Sequence, residues 1–220
     1  MRPKRIILIR HAESEGNVDL NRYGKVPSHR LDLTDRGHRQ AAAAGVELRR
    51  MIGDETVCFY VSPYQRARQT YQGIRRAFAD EQVGHAFEDP RLREQDWGHF
   101  VDADANAKLR RERKRYGQFY YRFKDGESGA DVFDRVSVFL ETLHRDFNKD
   151  DFPRNVIMVT HGLTMRLFFM RWLHWSVEKF ERVWNPENCE FKVLEMGPDG
   201  RYALTTPFRE DPPEGVGSGV

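Results

Sequence analysis

Two short apolar runs, far apart in the chain, both end in histidine. Ile6-Ile7-Leu8-Ile9 leads into Arg10-His11, and Val156-Ile157-Met158-Val159-Thr160 leads into His161-Gly162. Runs of this length and aliphatic character read as strands buried on both faces, the kind found in parallel sheets. In an open α/β sheet ligands sit outside the carboxyl ends of the strands. Two strands of one such sheet would therefore deliver both histidines to the same edge.

The rest of the chain alternates strand and helix patterns, which is the signature of the α/β class. From Thr34, a good N-cap, Ala41, Gly45, Leu48 and Ile52 recur at helical spacing until Gly53. Val57 to Val61 reads as a strand, Ser62-Pro63 as the start of a helix with Arg66 in its first turn, and His85 to Glu88 as a short strand. Ser128 and Asp131 form a capping box before the stripe Val132, Val136, Phe139, Leu143 and Phe147, a helix that should end before Pro153. A buried helix over 163–173, a helix over 177–183 and a hairpin of 190–196 with 201–205 complete the pattern. The segment 14–32, with Gly16, Gly24 and Pro27, is expected as a loop over the active edge.

The balance of 36 basic against 34 acidic side chains, a net charge of +2, lacks the excess that electrostatic nucleic-acid binding leaves. Any selectivity for anions must be local. Cys58 and Cys189 have no CxxC spacing, so reduced, buried thiols are expected rather than a metal or redox pair. No run of about 18 apolar residues occurs, and Lys4-Arg5 passes directly into a strand. A cytoplasmic protein with no membrane partner is the expectation, and oligomeric state stays open.

One histidine after a strand is more often structural than catalytic. Here Arg10 precedes His11, Asn17 follows in the loop, Arg66 opens a helix after another strand, and His161 ends a third. Two guanidiniums, an amide and two imidazoles at one edge suit a phosphoryl group, whose oxygens accept forked arginine donors and whose phosphorus a neutral imidazole can attack.

Arg10-His11-Ala12-Glu13-Ser14-x-x-Asn17, Leu33-Thr34-x-x-Gly37-x-x-Gln40-Ala41, Ser62-Pro63-x-x-Arg66-Ala67-x-Gln69-Thr70, Leu92-x-Glu94-x-x-x-Gly98, Gly126-Glu127-Ser128 and Thr160-His161-Gly162 follow one another in order. This succession resembles the motifs of the histidine phosphatase superfamily, in its phosphoglycerate-mutase-like branch. Arg93-Glu94-Gln95-Asp96-Trp97-Gly98 and Tyr120-Tyr121-Arg122-Phe123 are further similar to plant and fungal members of acid-phosphatase type. The resemblance implies a three-layer α/β/α sandwich around a mostly parallel sheet. A length of 220 residues with 39% hydrophobic side chains suits one domain, read as 1–208, with the polar, basic stretch at about 99–125 as an insertion covering the site and the Gly-rich 209–220 as a disordered tail. By the resemblance, His11 would be the nucleophile that becomes a phosphohistidine, with Arg10, Asn17, Arg66 and His161 on the transferred group and Glu94 as proton donor. No metal and no cofactor are implied, and the partner is a small phosphorylated substrate.

Bland alternatives accompany these assignments. Glu94 could be a surface carboxylate paired with Arg91 or Arg93, and Glu127 could serve only to orient arginines. The basic run Lys108 to Arg115 reads as a solvated helix face, or as a holder of a second anionic group of the substrate. Ala12 stands where the family usually has glycine, so its methyl could crowd the phosphate loop. His29, His38, His85, His99, His144 and His174 have no matching partners and are read as structural. Beside hydrolysis stand a cofactor-dependent phosphoglycerate mutase and a noncatalytic phospholigand-binding module. Mutases carry arginine and tyrosine after the acid, where this chain has Gln95 and Trp97, and the catalytic positions are intact, so hydrolysis of phosphomonoesters leads.

Overall fold

A computed structural model of the chain describes residues 2–98 and 103–211, with only the backbone over 103–106. In chain order the elements are β1 (Arg5–Arg10), α1 (Glu15–Val18), α2 (Asp35–Ile52), β2 (Val57–Val61), α3 (Gln65–Arg75), β3 (Val83–Glu88), α4 (Ala103–Tyr116), α5 (Gly129–Phe147), β4 (Asn155–Thr160), α6 (Gly162–Trp172), α7 (Val177–Arg182), β5 (Phe191–Met196) and β6 (Tyr202–Leu204). The strands form one sheet in the order β3-β2-β4-β1-β5-β6. The four strands from β3 to β1 run parallel, while β5 and β6 are antiparallel additions.

Because successive strand residues point to opposite faces, the apolar runs split between two cores. Ile6, Leu8, Tyr60, Val156 and Met158 pack with Val136, Phe139 and Leu143 of α5 and Phe168 of α6. Ile7, Ile9, Phe59, Ile157 and Val159 pack with Leu48 and Ile52 of α2 and Ile74 of α3. Helices thus cover both faces of the sheet, as a three-layer α/β/α sandwich requires. The Thr34 side chain caps α2 by accepting from the Gly37 N–H, and Gly53, at φ 64°, ends it. Ser128 and Asp131 close the capping box of α5.

Register brings the site together. Arg10 pairs with Thr160 across β1 and β4, and Val61 pairs with Val159 across β2 and β4. The residues that follow, His11, Ser62 and His161, leave the sheet side by side, and the His11 N–H is held by the Thr160 carbonyl at 2.9 Å.

Several expectations shift. The segment 14–32 is not plain loop: it holds α1 and two 3-10 turns, Leu20–Gly24 and Ser28–Arg30. The helix expected from Ser62-Pro63 starts at Gln65, because the Ser62 N–H still bonds the Val159 carbonyl of the sheet. Residues 209–211, expected in a disordered tail, are ordered against the end of α7: the Arg209 carbonyl accepts from Trp184 and the Asp211 N–H donates to Arg182. Residues 212–220, and His99 in the expected insertion, lie outside the described residues. Cys58 is buried as expected, Cys189 only partly so, and both are free. Among the described residues no helix is long and apolar enough to cross a membrane.

Candidate active site

His11 sits at the floor of a cavity of about 980 Å³ at the carboxyl end of the parallel strands, whose walls include Arg10, Asn17, Tyr23, Arg66, Glu94, Trp97 and Arg113. The imidazole is 4% exposed. Its Nδ1–H donates to the Ala12 carbonyl at 2.7 Å, which leaves Nε2 with its lone pair. The Nε–H of Arg66 donates to that Nε2 at 3.2 Å. Burial first, then the charges of Arg66 and Arg10, hold the His11 pKa well below 6.5, so the ring is neutral.

Among the described residues neither arginine forms an ion pair with a carboxylate. Arg66, 2% exposed, donates to the Ser28 carbonyl at 2.5 Å and lies over the Tyr64 ring at 4.9 Å. Arg10 donates to the Pro186 carbonyl at 2.7 Å, and its buried Nε has no partner. Burying a cation without a counter-ion costs several kcal/mol. An anion bound between these two guanidiniums would offset that cost. Asn17 completes the wall: its Oδ1 accepts from the Ser14 N–H at 2.9 Å, the Ser14 hydroxyl at 3.0 Å and Asn188 at 3.3 Å. With the oxygen so engaged, the amide nitrogen is the donor left for a ligand.

His161 lies apart from the expectation. It is fully buried, 5.1 Å from the His11 ring centroid to centroid, with Nε2 on the Ser62 hydroxyl at 2.8 Å and Nδ1 without a partner. It stands behind the cavity wall that His11 and Tyr64 form rather than in it. Burial and the neighbouring Arg66 and His11 hold its pKa well below 6.5 as well.

Glu94 lies in the wall as well, and the ion pairs that would have made it a surface carboxylate go elsewhere. Arg91 pairs with Asp89 at 2.6 Å, and Arg93 pairs with Glu127, which also takes Arg135 at 3.1 Å. Glu127 is thus the arginine orienter that the sequence suggested. Glu94 Oε1 accepts from the Gln95 N–H at 2.9 Å and, more loosely, from the Thr164 hydroxyl at 3.4 Å. Glu13 is held by the Thr34 hydroxyl at 2.8 Å and by Arg36. The Ala12 methyl is buried with Leu33 and Ala41, away from the cavity, so it does not crowd the phosphate loop. Part of the basic run does face inward. Arg113 donates to Gln95 at 3.2 Å and lies over the Trp97 ring at 5.3 Å, and Arg110 lies over the same ring at 5.4 Å.

Sequence reading gave no site role to Ser62, Tyr64 or Asn188. Ser62 opens the quoted Arg66 motif and Tyr64 lies inside it, so that motif was the available signal; Asn188 had none. Among the described residues no group of His, Cys, Asp and Glu brings metal-ligand donors together.

Comparison with known proteins places this arrangement of a buried neutral imidazole beside two guanidiniums in a family. Residues 6–206 match the histidine phosphatase superfamily, branch 1. The chain belongs to the histidine phosphatase superfamily. It is 45% identical to a phosphoglycerate mutase-like protein of Arabidopsis thaliana over 95% of this chain and 70% of that one. It is 30% identical to a broad-range acid phosphatase of Saccharomyces cerevisiae over 93% of this chain and 89% of that one. Among solved structures it is similar to a mycobacterial hydrolase with a TM-score of 0.70 at 22% identity, covering 96% of this chain and all of the other, a likeness of fold.

Proposed function

We propose that this hydrolase of the histidine phosphatase superfamily cleaves small phosphomonoesters through a phosphohistidine on His11. The observation that carries the reading is the state of the imidazole: Nδ1–H is committed to the Ala12 carbonyl, and neutral Nε2 is presented to the cavity beside Arg66. Nε2 attacks phosphorus in line with the ester oxygen. As the N–P bond forms and the P–O bond breaks, the Arg10 and Arg66 guanidiniums and the Asn17 amide take up the negative charge of the equatorial oxygens. Glu94 gives a proton to the leaving oxygen. The resulting carboxylate then takes a proton from water, whose oxygen attacks phosphorus and returns the electron pair of the N–P bond to Nε2. His161 contributes from behind, holding the position of the His11 ring and of Ser62, and no step requires a metal. The unpaired thiols of Cys58 and Cys189 support a reducing, cytoplasmic setting.

The test is to trap labelled phosphate on the protein. Wild-type protein should carry an acid-labile label that His11→Ala lacks while keeping its fold. An acid-stable label would move the nucleophile elsewhere. A parallel assay of 3-phosphoglycerate with bisphosphate cofactor separates hydrolysis from mutase activity, because Gln95 and Trp97 offer neither a cation nor a phenol to a glycerate carboxylate. Isomerisation as fast as phosphate release would replace the hydrolase reading by the mutase one.

A further inference from the structure

The turn between α7 and β5 touches three of the residues placed on the phosphoryl group, although it lies more than 160 residues from them in sequence. The Pro186 carbonyl accepts from the Arg10 guanidinium at 2.7 Å. The Asn188 side-chain amide donates to the His11 carbonyl at 2.9 Å and to Asn17 Oδ1 at 3.3 Å. Around Asn188 the turn is tied to the end of β1. Cys189 adopts φ 60°, its N–H bonds the Arg10 carbonyl at 3.1 Å, and the Arg10 N–H bonds the Glu190 carbonyl at 3.1 Å. Glu190 in turn accepts from the Glu187 N–H at 2.6 Å, closing the turn on itself. At its other end Asn185 accepts from the fully buried Arg166 at 3.2 Å.

From this geometry we infer that Asn188 is a positioning residue that fixes the separation between the nucleophile His11 and the phosphate donor Asn17. An amide nitrogen carries two N–H groups, and Asn188 spends one on each of these residues. One bond sets the height of the strand end that bears the imidazole. The other joins the two Ser14 donors on Asn17 Oδ1, so that the Asn17 amide can turn only its nitrogen toward an anion. A side chain that merely closed the turn would need only one of these bonds. The two bonds instead couple the strand end that bears His11 to the loop that bears Asn17. Small displacements in such a constellation are costly, since phosphoryl transfer depends on positioning to fractions of an ångström.

The inference rests on the proposed function, and its test is a double-mutant cycle with inorganic phosphate as the probe. The Kd for phosphate, the kcat on a phosphomonoester and the melting temperature are measured for Asn17→Ala, Asn188→Ala and the double variant. Asn188→Ala should weaken phosphate and lower kcat, each on the order of fivefold or more, and in the Asn17→Ala background the same change should cost markedly less, the mark of coupled residues. A purely structural role would lower the melting temperature and give effects that multiply in full, and that outcome overturns the inference. Asn188→Asp, which keeps the shape and removes the donors, repeats the cycle if the alanine variant does not fold; loss of the fold in both assigns Asn188 to the scaffold and also overturns it. If Asn17→Ala alone leaves phosphate binding unchanged, the reading of the cavity as a phosphate site fails first, and the inference with it.

Discussion

The Nε–H of Arg66 donates to the Nε2 of His11 at 3.2 Å, so the guanidinium caps the lone pair that the proposed reaction uses. This bond exists only while the imidazole is neutral, and the same N–H must pass to a phosphoryl oxygen as the N–P bond forms. Arg66 therefore both depresses the His11 pKa and stabilises the transferred group. Arg66→Ala should slow phosphoenzyme formation on the order of 10²–10³-fold, the scale of losing one charge-stabilising donor. It should also move the acid limb of the pH profile upward, because both the charge and the hydrogen bond that favour the neutral ring are gone. A pH profile of single-turnover labelling checks both effects. An unmoved acid limb would mean that Arg66 does not set the protonation of His11.

The depressed pKa values of His11 and His161 also bear on stability. Folded, each ring stays neutral below 6.5; unfolded, each takes up a proton there. The unfolded chain thus binds more protons, and stability, complete above pH 6.5, falls as the pH drops below it toward the folded pKa. The loss can reach about 1.4 kcal/mol per pH unit for each ring. Urea midpoints between pH 7.5 and 5 should fall for the wild type and fall less steeply for His11→Ala. Parallel slopes for the two proteins would show that other groups govern acid sensitivity.

Gly37 is where helix packing meets the catalytic loop. A Cβ there would stand 2.0 Å from the Glu13 carbonyl oxygen, an impossible contact with backbone. The same carbonyl accepts from the Thr34 N–H at 3.0 Å, and Ser14 bridges to Leu33 beside it, so the segment leading to Asn17 cannot easily retreat. Alanine is ordinarily the better helix residue by about 1 kcal/mol. Here Gly37→Ala should instead destabilise by about 1–3 kcal/mol, as overpacking does, and weaken phosphate binding through Asn17. Thermal melts and phosphate titration of the variant test this, and a raised melting temperature would contradict it.

The strands, the sheet-covering helices α2 and α5 and the edge where His11 lies were legible because they depend on local pattern: apolar runs, caps at Thr34 and Ser128, and a stop at Gly53. That two histidine-ended strands would deliver both rings to one sheet edge was legible; that they are neighbours, β1 beside β4, is shown by the register. Other features depend on contacts that no local pattern encodes. Whether His161 lines the cavity or stands behind it is decided by the packing of Tyr64 and Ser62 against it. Asn188 reaches Asn17 across the whole fold, and Glu94 could be told from an ion-paired surface carboxylate only once Arg91 and Arg93 were seen to bond Asp89 and Glu127.

That same comparison makes Glu94 the sharpest test of mechanism. Its rivals are constrained: Glu13 is tied to Thr34 and Arg36, and Asp96, which also borders the cavity, accepts from the Gly98 N–H at 2.9 Å. A proton donor matters in proportion to how poor the leaving group is. An alkoxide from a sugar or glycerol phosphate needs protonation, whereas p-nitrophenolate departs unaided. Glu94→Gln keeps the shape and removes the proton to be donated. It should slow phosphohistidine formation from alkyl phosphates by ~10²-fold or more, the scale of general acid catalysis, and from p-nitrophenyl phosphate by much less. The measurement must be a single turnover, because hydrolysis of the phosphoenzyme is common to both substrates and would mask the difference. Equal slowing for the two leaving groups would make Glu94 a residue that shapes the site without donating a proton. Leaving-group dependence in Asp96→Asn instead would place the acid two residues further along, on the carboxylate that now holds the Gly98 N–H.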